Sequence, residues 1–202
     1  MWETRIFFRR LSTWRYLRLV LGAARSGKRV LLEKTPRHIH KLDLIRTIVP
    51  GARFVIPVRD GRDVVASIYQ RFGKIERGIT RWIEENSIVL AERGKPDVLV
   101  YRHEDLVTDP AATVQRICTF LDLDYRNDLL DFHRHERLWF REKNLRRGSG
   151  RGRRDHHALR NWQVNQPIFD NRGRWKTVLR HQDIAEITEG VGRPLMIAFG
   201  YV

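Results

Sequence analysis

The most constraining feature of the sequence is the apolar run Phe54–Val58, which is followed at once by Arg59-Asp60-Gly61. An uninterrupted apolar run of this length is typical of a strand that is covered on both faces of a sheet. Asp60-Gly61 supplies the residue types of a tight turn, and Val64, Val65 and Ile68 then follow at helical spacing. The segment therefore predicts a buried strand, a tight turn and an amphipathic helix.

A helix that begins directly after such a turn offers an anion site at its N-terminus, because unpaired backbone N–H groups and the helix dipole both favour a negative ligand. Arg59 and Arg62 would add charge-assisted hydrogen bonds, and Ser67 would add a hydroxyl. These residue types indicate a phosphate ligand. The same pattern also occurs as a solvated helix cap with a local ion pair, and on its own it leaves both interpretations open.

The composition fits one globular domain over residues 1–202, with 42% hydrophobic and 31% charged residues. The formal net charge is +15, because 39 Lys and Arg stand against 24 Asp and Glu. Such an excess predicts an anionic partner, which is a nucleic acid, an acidic membrane surface, a nucleotide or a polyanionic acceptor. The charge alone does not choose among these partners.

The single cysteine, Cys118, lies in a segment of helical apolar periodicity. It excludes an internal disulfide and a cysteine-built zinc site, and we expect a buried structural thiol in a reducing, cytoplasmic location. The apolar run 17–24 is short and is interrupted by Arg18, so neither a transmembrane span nor a signal peptide is predicted.

Apolar patterning along the rest of the chain predicts strands and helices in alternation. Further strands are expected at 30–32 and 98–101, and helices at 5–25, 38–49, 63–72, 79–93, 110–121 and 182–190. This alternation with short connections indicates an α/β fold in three layers, with a mainly parallel sheet flanked by helices. The Arg- and Gly-rich residues 146–154 lack periodicity and are predicted to form a mobile surface loop.

Reactive residue types follow each of the three predicted strands. The first strand is followed by Glu33-Lys34-Thr35-Pro36, the second by Arg59 and the third by His103-Glu104-Asp105. Ligands of open parallel sheets bind beyond the carboxyl ends of the strands, and right-handed crossovers place those ends at one edge. We therefore expect Lys34, Arg59 and Ser67 to face one pocket that suits a phosphate group.

Together these segments resemble the nucleotide-dependent sulfotransferases, which take a sulfuryl group from 3'-phosphoadenosine 5'-phosphosulfate (PAPS). The segment from Arg59 to Ser67 is similar to the family's 3'-phosphate motif, whose first Arg and last Ser bind that phosphate. Leu32-Glu33-Lys34-Thr35-Pro36 resembles the segment whose lysine assists the leaving phosphosulfate. The resemblance covers nearly the whole chain, from Glu3 to Tyr201.

Three further segments carry the resemblance. His103-Glu104-Asp105-Leu106, followed by Thr108-Asp109-Pro110, is similar to a Tyr-Glu-Asp-Leu motif and an Asp-Pro helix start, with an imidazole that can stack on adenine in place of the tyrosine. Residues 162–167 and 173–176 resemble the C-terminal segment that closes over the nucleotide. Glu3-Thr4-Arg5-Ile6 resembles the stretch that holds the catalytic glutamate in the tyrosylprotein branch.

The resemblance implies a fold similar to the P-loop NTPases and a sulfuryl transfer to a hydroxyl or amine, with 3'-phosphoadenosine 5'-phosphate (PAP) as the second product and no metal. Glu3 would be the general base and Lys34 the second catalytic residue. The acceptor would be a glycan, lipid, peptide or phenol, and no specific nucleic acid is expected. The implied donor-binding residues are Lys34, Arg59, Arg62, Ser67, His103, Arg174, Trp175 and Lys176.

The sequence departs from the family pattern at its start. The family has an upstream strand and a Gly-containing loop that binds the 5'-phosphosulfate, and the sequence begins too late to contain them. Residues 24–29 imitate such a loop but precede the Lys34 segment too closely, so we interpret them as a connector. We therefore expect an N-terminally truncated sulfotransferase-like domain, and a non-catalytic nucleotide-binding remnant stays open as an alternative.

Two other classes of function are weighed against this interpretation. Nucleic-acid binding is favoured by the +15 charge and the Arg-Gly run at 147–154, and it would show strong salt dependence. A metal site could be drawn from the histidine pairs, but their spacing is poor for zinc without a cysteine pair. A kinase is not supported, because the sequence has no complete Gly-rich loop ending in Gly-Lys-Ser/Thr. The histidine pairs are His38/His40, His133/His135 and His156/His157.

Overall fold

A computed structural model describes residues 30, 32–138 and 153–202, without the side chains at 153, 154 and 156. Glu3, the helix predicted at 5–25 and residues 146–152 of the predicted loop lie outside the described residues. The backbone divides into two compact units, Met1–Ala52 and Arg53–Val202. The assignment of residues 1–202 to one domain stays a prediction.

The first unit contains a short 3₁₀ helix, Pro36–Lys41, which continues into helix α1, Leu42–Ile48. The strand predicted at 30–32 is wrong, because residues 30 and 32–35 have no regular secondary structure. Val30 is 54% exposed and Leu32 is 84% exposed. Strand propensity measures how well side chains pack on a sheet, not an intrinsic preference of the backbone. Apolar side chains that stay in solvent do not supply that packing.

The second unit contains the sheet. Strand β1, Phe54–Val58, pairs in parallel with strand β2, Val98–Arg102, so that Phe54 lies opposite Val98 and Val58 opposite Arg102. Both strands were predicted, and helices α2 (Gly61–Phe72) and α3 (Ile75–Glu92) connect them. The described part of the chain therefore has the α/β architecture and the parallel pairing that the sequence predicts.

Helices α2 and α3 pack closely along their length. Helix α2 begins where the Asp60 carboxylate accepts a hydrogen bond from the Arg62 N–H at 2.9 Å, and it ends at Gly73 with φ of 70°. A Cβ atom on Gly78 of α3 would lie 3.2 Å from the Cα of Val65. The missing side chain at this position lets the two helices approach each other.

Trp82 of α3 packs against the turn between β1 and α2. Its side chain is 2% exposed, and its indole N–H donates a hydrogen bond to the Arg59 carbonyl at 3.1 Å. A Cβ atom on Gly61 would lie 2.9 Å from the indole ring. Gly61 is therefore required because the ring contacts the backbone itself, and the indole fixes the position of the turn.

The remaining helices of the second unit follow β2 in the chain. Asp109 caps α5 by accepting a hydrogen bond from the Ala112 N–H at 3.0 Å. The buried Cys118 on α5 confirms the predicted structural thiol. The helices are α4 (His103–Thr108), α5 (Pro110–Phe120), a 3₁₀ helix (Asn127–Arg134), α6 (Arg153–Gln163), a 3₁₀ helix (Arg174–Thr177), α7 (His181–Thr188) and α8 (Arg193–Ala198).

Helix α6 corrects one expectation. Residues 153 and 154, which were predicted to belong to the Arg- and Gly-rich loop, form its first turn. Ala158 is 2% exposed and Asn161 is fully buried. Residues three apart lie on one face of a helix, so α6 buries the face that contains Ala158 and Asn161. This burial stabilises the helix, which the charged composition of the segment does not indicate.

Candidate functional site

Arg59 lies directly after β1, where the predicted phosphate motif begins. Its Nη2 donates a hydrogen bond to the Asn171 carbonyl at 2.9 Å and lies 3.4 Å from the Asp63 carboxylate. Its Nε is buried and has no hydrogen-bond partner among the described residues. A buried guanidinium N–H without a partner is costly, and an anion is the ligand that would satisfy it.

A cleft of about 270 Å³ lies beside Arg59. Ser67, which lies two turns into α2 on an exposed face, lines the same cleft. The structure thus brings together the first and last residues of the predicted phosphate motif. The cleft is lined by Arg59, Val64, Ser67, Ile68, Arg81, Trp82, Glu85 and Asn86.

The α3 side of the cleft contains groups that sequence reasoning missed. The Arg81 Nε donates a hydrogen bond to the Glu85 carboxylate at 2.8 Å. Asn86 is buried, and its amide donates a hydrogen bond to the Trp82 carbonyl at 2.8 Å. Polar residues on one face of a helix are usually solvated, so their direction toward a cleft becomes visible only once α2 and α3 are packed.

Asp63 connects the phosphate motif to the C-terminal segment. Its carboxylate is 2% exposed and accepts hydrogen bonds from the Gly173 N–H at 3.0 Å and the Trp175 N–H at 3.1 Å. Since Arg59 holds the Asn171 carbonyl, two neighbouring side chains fix residues 171–175. Sequence reasoning missed Asp63, because an acid in a first helical turn is usually explained by the helix dipole.

Arg62 has a different environment from Arg59. Its guanidinium forms a bidentate pair with Asp60, at 3.0 and 2.7 Å, and donates to the Tyr201 carbonyl at 3.2 Å. It also lies 4.5 Å from the centre of the Trp175 ring. Arg62 therefore links the turn after β1 to the end of the chain, and its role in donor binding stays a prediction.

The other predicted C-terminal residues follow this contact. Lys176 places its ammonium 5.7 Å from the centre of the Trp175 ring. Arg174 is exposed, and its backbone carbonyl accepts a hydrogen bond from the Thr177 hydroxyl at 3.1 Å. The segment is thus positioned through its backbone and the indole, whereas its two cations lie in exposed residues.

Glu104 holds three parts of the second unit together. One carboxylate oxygen accepts a hydrogen bond from the Asp60 N–H at 3.0 Å, and the other accepts one from the Tyr201 hydroxyl at 2.8 Å. Burial, and next the Glu104 charge, raise the pKa of Tyr201 far above its ordinary value. The glutamate of the His-Glu-Asp-Leu motif therefore has a structural role.

His103 lies at the end of β2, on the first residue of α4. Its Nδ1 is buried and has no hydrogen-bond partner among the described residues. Burial lowers the pKa of its imidazole, and the nearby positive charge of Arg59 lowers that pKa further. A neutral imidazole can stack on a base without adding charge. The structure thus places this predicted site residue near Arg59.

The structure says less about the two predicted catalytic residues, Glu3 and Lys34. Glu3 lies outside the described residues. Lys34 belongs to the first unit, in a segment where the Glu33 carboxylate accepts a hydrogen bond from the Thr35 hydroxyl at 2.6 Å and lies 2.6 Å from the His38 Nδ1. These contacts give residues 33–38 a defined local structure, and the roles of Glu3 and Lys34 stay predictions.

The described residues contain neither a cluster of metal ligands nor a membrane-spanning helix. Within residues 30, 32–138 and 153–202, no group of three or more His, Cys, Asp or Glu side chains could hold a metal ion. In the same part of the chain, every helix is too short or too polar to cross a bilayer.

The parallel strand pair, the arginine at the end of β1 and the polar cleft beside it define an α/β protein with a candidate anion site. A sequence profile of the sulfotransferase family matches residues 5–127. The chain therefore belongs to the sulfotransferase family, as the motifs predicted.

Individual relatives agree with this assignment. Nodulation protein NoeE of Sinorhizobium fredii (strain NBRC 101917 / NGR234) is 23% identical over 206 residues, covering 88% of this chain and 46% of NoeE. A putative protein-tyrosine sulfotransferase of Caenorhabditis briggsae is 28% identical over 117 residues, covering 52% of this chain and 41% of the relative. Protein-tyrosine sulfotransferase A of Caenorhabditis elegans is 27% identical over 119 residues, covering 54% and 30% respectively. The chain thus spans less than half the length of each curated relative.

A solved structure supports the fold. The sulfotransferase domain from the curacin biosynthetic pathway superposes with a TM-score of 0.55 at 17% sequence identity, covering 80% of this chain and 62% of that domain. This likeness concerns the fold alone, and it confirms the predicted sulfotransferase fold.

Proposed function

We propose that this protein transfers a sulfuryl group from PAPS to a hydroxyl or amine acceptor and releases PAP. The observation that carries the proposal is the cleft that Arg59 and Ser67 both line, together with the buried Arg59 Nε, which has no hydrogen-bond partner in the part of the chain that the structure describes. Membership of the sulfotransferase family makes a sulfate donor the expected ligand.

The donor groups in this cleft suit a phosphate monoester. Such a group carries roughly −1.5 to −2 charges at pH 7 and offers three acceptor oxygens. A guanidinium has five N–H donors in a rigid fork, and Arg59 uses Nη2 on Asn171 and Asp63. We infer that the Nε edge of Arg59 and the Ser67 hydroxyl bind the donor's 3'-phosphate. His103, near Arg59, is proposed to contact the adenine.

The transfer itself needs groups that act on the two ends of the reacting bond. The acceptor oxygen or nitrogen bonds to sulfur and loses its proton, while the S–O bond to the 5'-phosphate breaks and leaves its electron pair on PAP. We propose that Lys34 stabilises the negative charge on that leaving oxygen, an interaction that strengthens in the transition state. Glu3 is proposed to take the acceptor's proton.

The acceptor that we propose to test first is a phenol. Two relatives are described as protein-tyrosine sulfotransferases, and a tyrosine hydroxyl has a pKa near ~10, so its transfer benefits from a base such as Glu3. Glycan, lipid and non-phenolic peptide acceptors are tested in parallel, because acceptor preference depends on loops that vary over a shared scaffold.

The decisive measurement is calorimetric titration with PAP and with 5'-AMP, which lacks the 3'-phosphate. We expect wild type to prefer PAP, and Arg59→Ala to weaken PAP binding by roughly 10- to 100-fold, as loss of a charged hydrogen bond of ~1.5–3 kcal/mol predicts. Ser67→Ala should weaken it less. Arg126→Ala is the matched control, because Arg126 pairs with Asp128 at an exposed site.

Equal affinity of folded wild-type protein for PAP and 5'-AMP would contradict the proposal. A salt-dependent affinity for DNA or RNA without any preference for PAP would instead support the nucleic-acid alternative.

A further inference from the structure

We propose that Arg81 binds the same 3'-phosphate as Arg59, as a second guanidinium that α3 contributes to the cleft, and that Glu85 positions it. This inference rests on the proposed function, since it names a further residue of the same donor site. No part of the phosphate motif includes Arg81, which lies on α3, beyond the segment from Arg59 to Ser67.

The first argument is the shape of the cleft. Arg59 and Ser67 line the cleft from the end of β1 and from α2, and Arg81 and Glu85 line it from α3. The volume of about 270 Å³ is slightly below the range of ~300–1,000 Å³ typical of pockets for drug-sized ligands. The cleft therefore suits one end of a nucleotide, such as its 3'-phosphate, with groups from α2 and from α3 around it.

The second argument is how Arg81 is held. Its side chain is 40% exposed and that of Glu85 is 25% exposed. The hydrogen bond between them uses the Arg81 Nε, which is one of five N–H donors. Glu85 thus restrains the guanidinium by one edge, and the terminal Nη groups can serve a ligand.

The third argument is the balance of charge. Arg59, Arg81 and Glu85 line the cleft, and the buried Asp63 carboxylate lies 3.4 Å from Arg59. These four groups sum to zero formal charge, whereas a phosphate monoester carries roughly −1.5 to −2. Without Arg81 they would sum to one negative charge, which would repel the phosphate. The second guanidinium therefore removes a net repulsion that this group would otherwise meet.

A purely structural role explains the pair less well. An i,i+4 ion pair on a helix contributes only ~0.3–0.5 kcal/mol, and the acid is better placed on the N-terminal side. Arg81 precedes Glu85, which is the less favourable order for stabilising a helix. The pair also lines a cleft instead of an open helix surface.

The test uses the full chain and three nucleotides: PAP, 3'-AMP and 5'-AMP. The probe 3'-AMP carries only the phosphate that this cleft is proposed to bind. We expect Arg81→Ala to weaken binding of PAP and 3'-AMP by roughly 10- to 100-fold and to leave 5'-AMP unchanged. Arg81→Lys should lose part of this affinity, because an ammonium keeps the charge but not the fork.

Two further variants separate positioning from general charge. Glu85→Gln keeps a hydrogen-bond acceptor and should lower the preference for 3'-AMP over 5'-AMP less than Arg81→Ala does, with an unchanged free energy of unfolding. Arg77→Ala is the matched control, because Arg77 lies on the same helix with its guanidinium 4.7 Å from the centre of the Phe72 ring. It should change no nucleotide affinity by more than about twofold.

The outcomes distinguish the inference from the function on which it rests. If Arg81→Ala binds 3'-AMP as wild type does while Arg59→Ala does not, the role of Arg81 is refuted and the proposed function stands. Equal losses in Arg77→Ala and Arg81→Ala would refute it too, as an effect of net charge. If folded wild type does not prefer 3'-phosphorylated nucleotides, both proposals fall. If Arg81→Ala does not fold, Arg81→Lys decides the case in the same way.

Discussion

Residues 30–48 and 54–72 share one sequence plan, in which an apolar run is followed by a turn with a basic residue and then by a helix. Only the second segment forms all three parts. Val58 at the end of β1 is 2% exposed, whereas Leu32 is 84% exposed. The difference shows that an apolar run becomes a strand when distant residues cover it.

The turns of the two segments differ in the same way. In the first segment the Glu33 carboxylate contacts Thr35 and His38, which are near neighbours in the sequence. In the second, Asp60 binds the neighbouring Arg62, which in turn donates a hydrogen bond to the Tyr201 carbonyl. A turn that bonds only to near neighbours in the sequence has a defined structure of its own. A turn that also bonds to distant residues fixes the position of the neighbouring site as well.

The largest contrast in stability is expected between the acidic residues in the first turns of the two helices, Asp63 in α2 and Asp43 in α1. Asp63→Ala removes a buried acceptor from the N–H groups of Gly173 and Trp175 and from Arg59. Since loss of one partner of a buried pair costs ~3–5 kcal/mol, we expect the free energy of unfolding in urea to fall by about 3 kcal/mol. Asp43→Ala should change it by less than ~0.5 kcal/mol.

Asp43 is a suitable control because its side chain is 90% exposed and pairs with Arg46 on the surface of α1. If the two substitutions cost the same, the contrast between local and distant bonding would not hold. Hydrogen exchange at residues 171–175 supplies an independent readout, since Asp63→Ala should speed it and Asp43→Ala should not.

A smaller effect is expected in the apolar runs themselves. Val58→Ala removes two methyl groups from a fully packed site, and at ~0.8 kcal/mol per buried CH₂, with a term for the cavity, it should cost about 2 kcal/mol. Leu32→Ala removes more apolar surface from a residue that stays in solvent, and it should cost less than ~0.5 kcal/mol. Chemical unfolding of both variants checks this. A larger loss for Leu32→Ala would show that residues 30–32 are covered after all.

These contrasts explain how far the sequence could predict the structure. Local pattern was enough to predict β1 and β2. It was also enough to place Arg59 at the end of β1 and Ser67 on the following helix, because apolar runs, turn residues and helical spacing are all local signals. It failed at 30–32, where the pattern was present but Val30 and Leu32 are exposed within the described part of the chain. The strand there was predicted from three residues, and nothing local distinguishes such a run from an exposed one.

The rest of the site depends on packing and could not be predicted. Asp63 bonds to residues more than a hundred positions away, and Arg81 reaches the cleft because α2 and α3 are in contact through Gly78. Arg62 was predicted as a donor-binding residue from its place in the motif, and this role stays a prediction, but its bonds to Asp60 and to the Tyr201 carbonyl could not be predicted. Residue type and position predict what a side chain can bind, whereas packing decides which partner it has.

The smallest effect is expected in the pH dependence of the free energy of unfolding. It comes from His103, which lies near Arg59 of the second segment. Burial, and then the charge of Arg59, lower the pKa of His103 in the folded protein. Below the ordinary histidine pKa of ~6.5, the unfolded chain therefore binds a proton more readily than the folded one. Stability should be complete above that pH and should fall as the pH drops from there to the lowered folded pKa.

His103→Gln should remove this part of the pH dependence, because glutamine does not titrate. The measurement is the free energy of unfolding of wild type and variant at several pH values between about 7.5 and 5. The free energy of unfolding of wild type minus that of the variant should become smaller, or change sign, as the pH falls. His181→Gln is the control, at an exposed position on α7. A wild-type protein that gains stability from His103 at low pH would contradict the structure, because it would require an imidazolium to be favoured beside Arg59. The sign of this effect therefore tests first whether the His103 imidazole is buried and then whether it lies near Arg59, as expected from the parallel pairing of Val58 with Arg102 at the ends of β1 and β2.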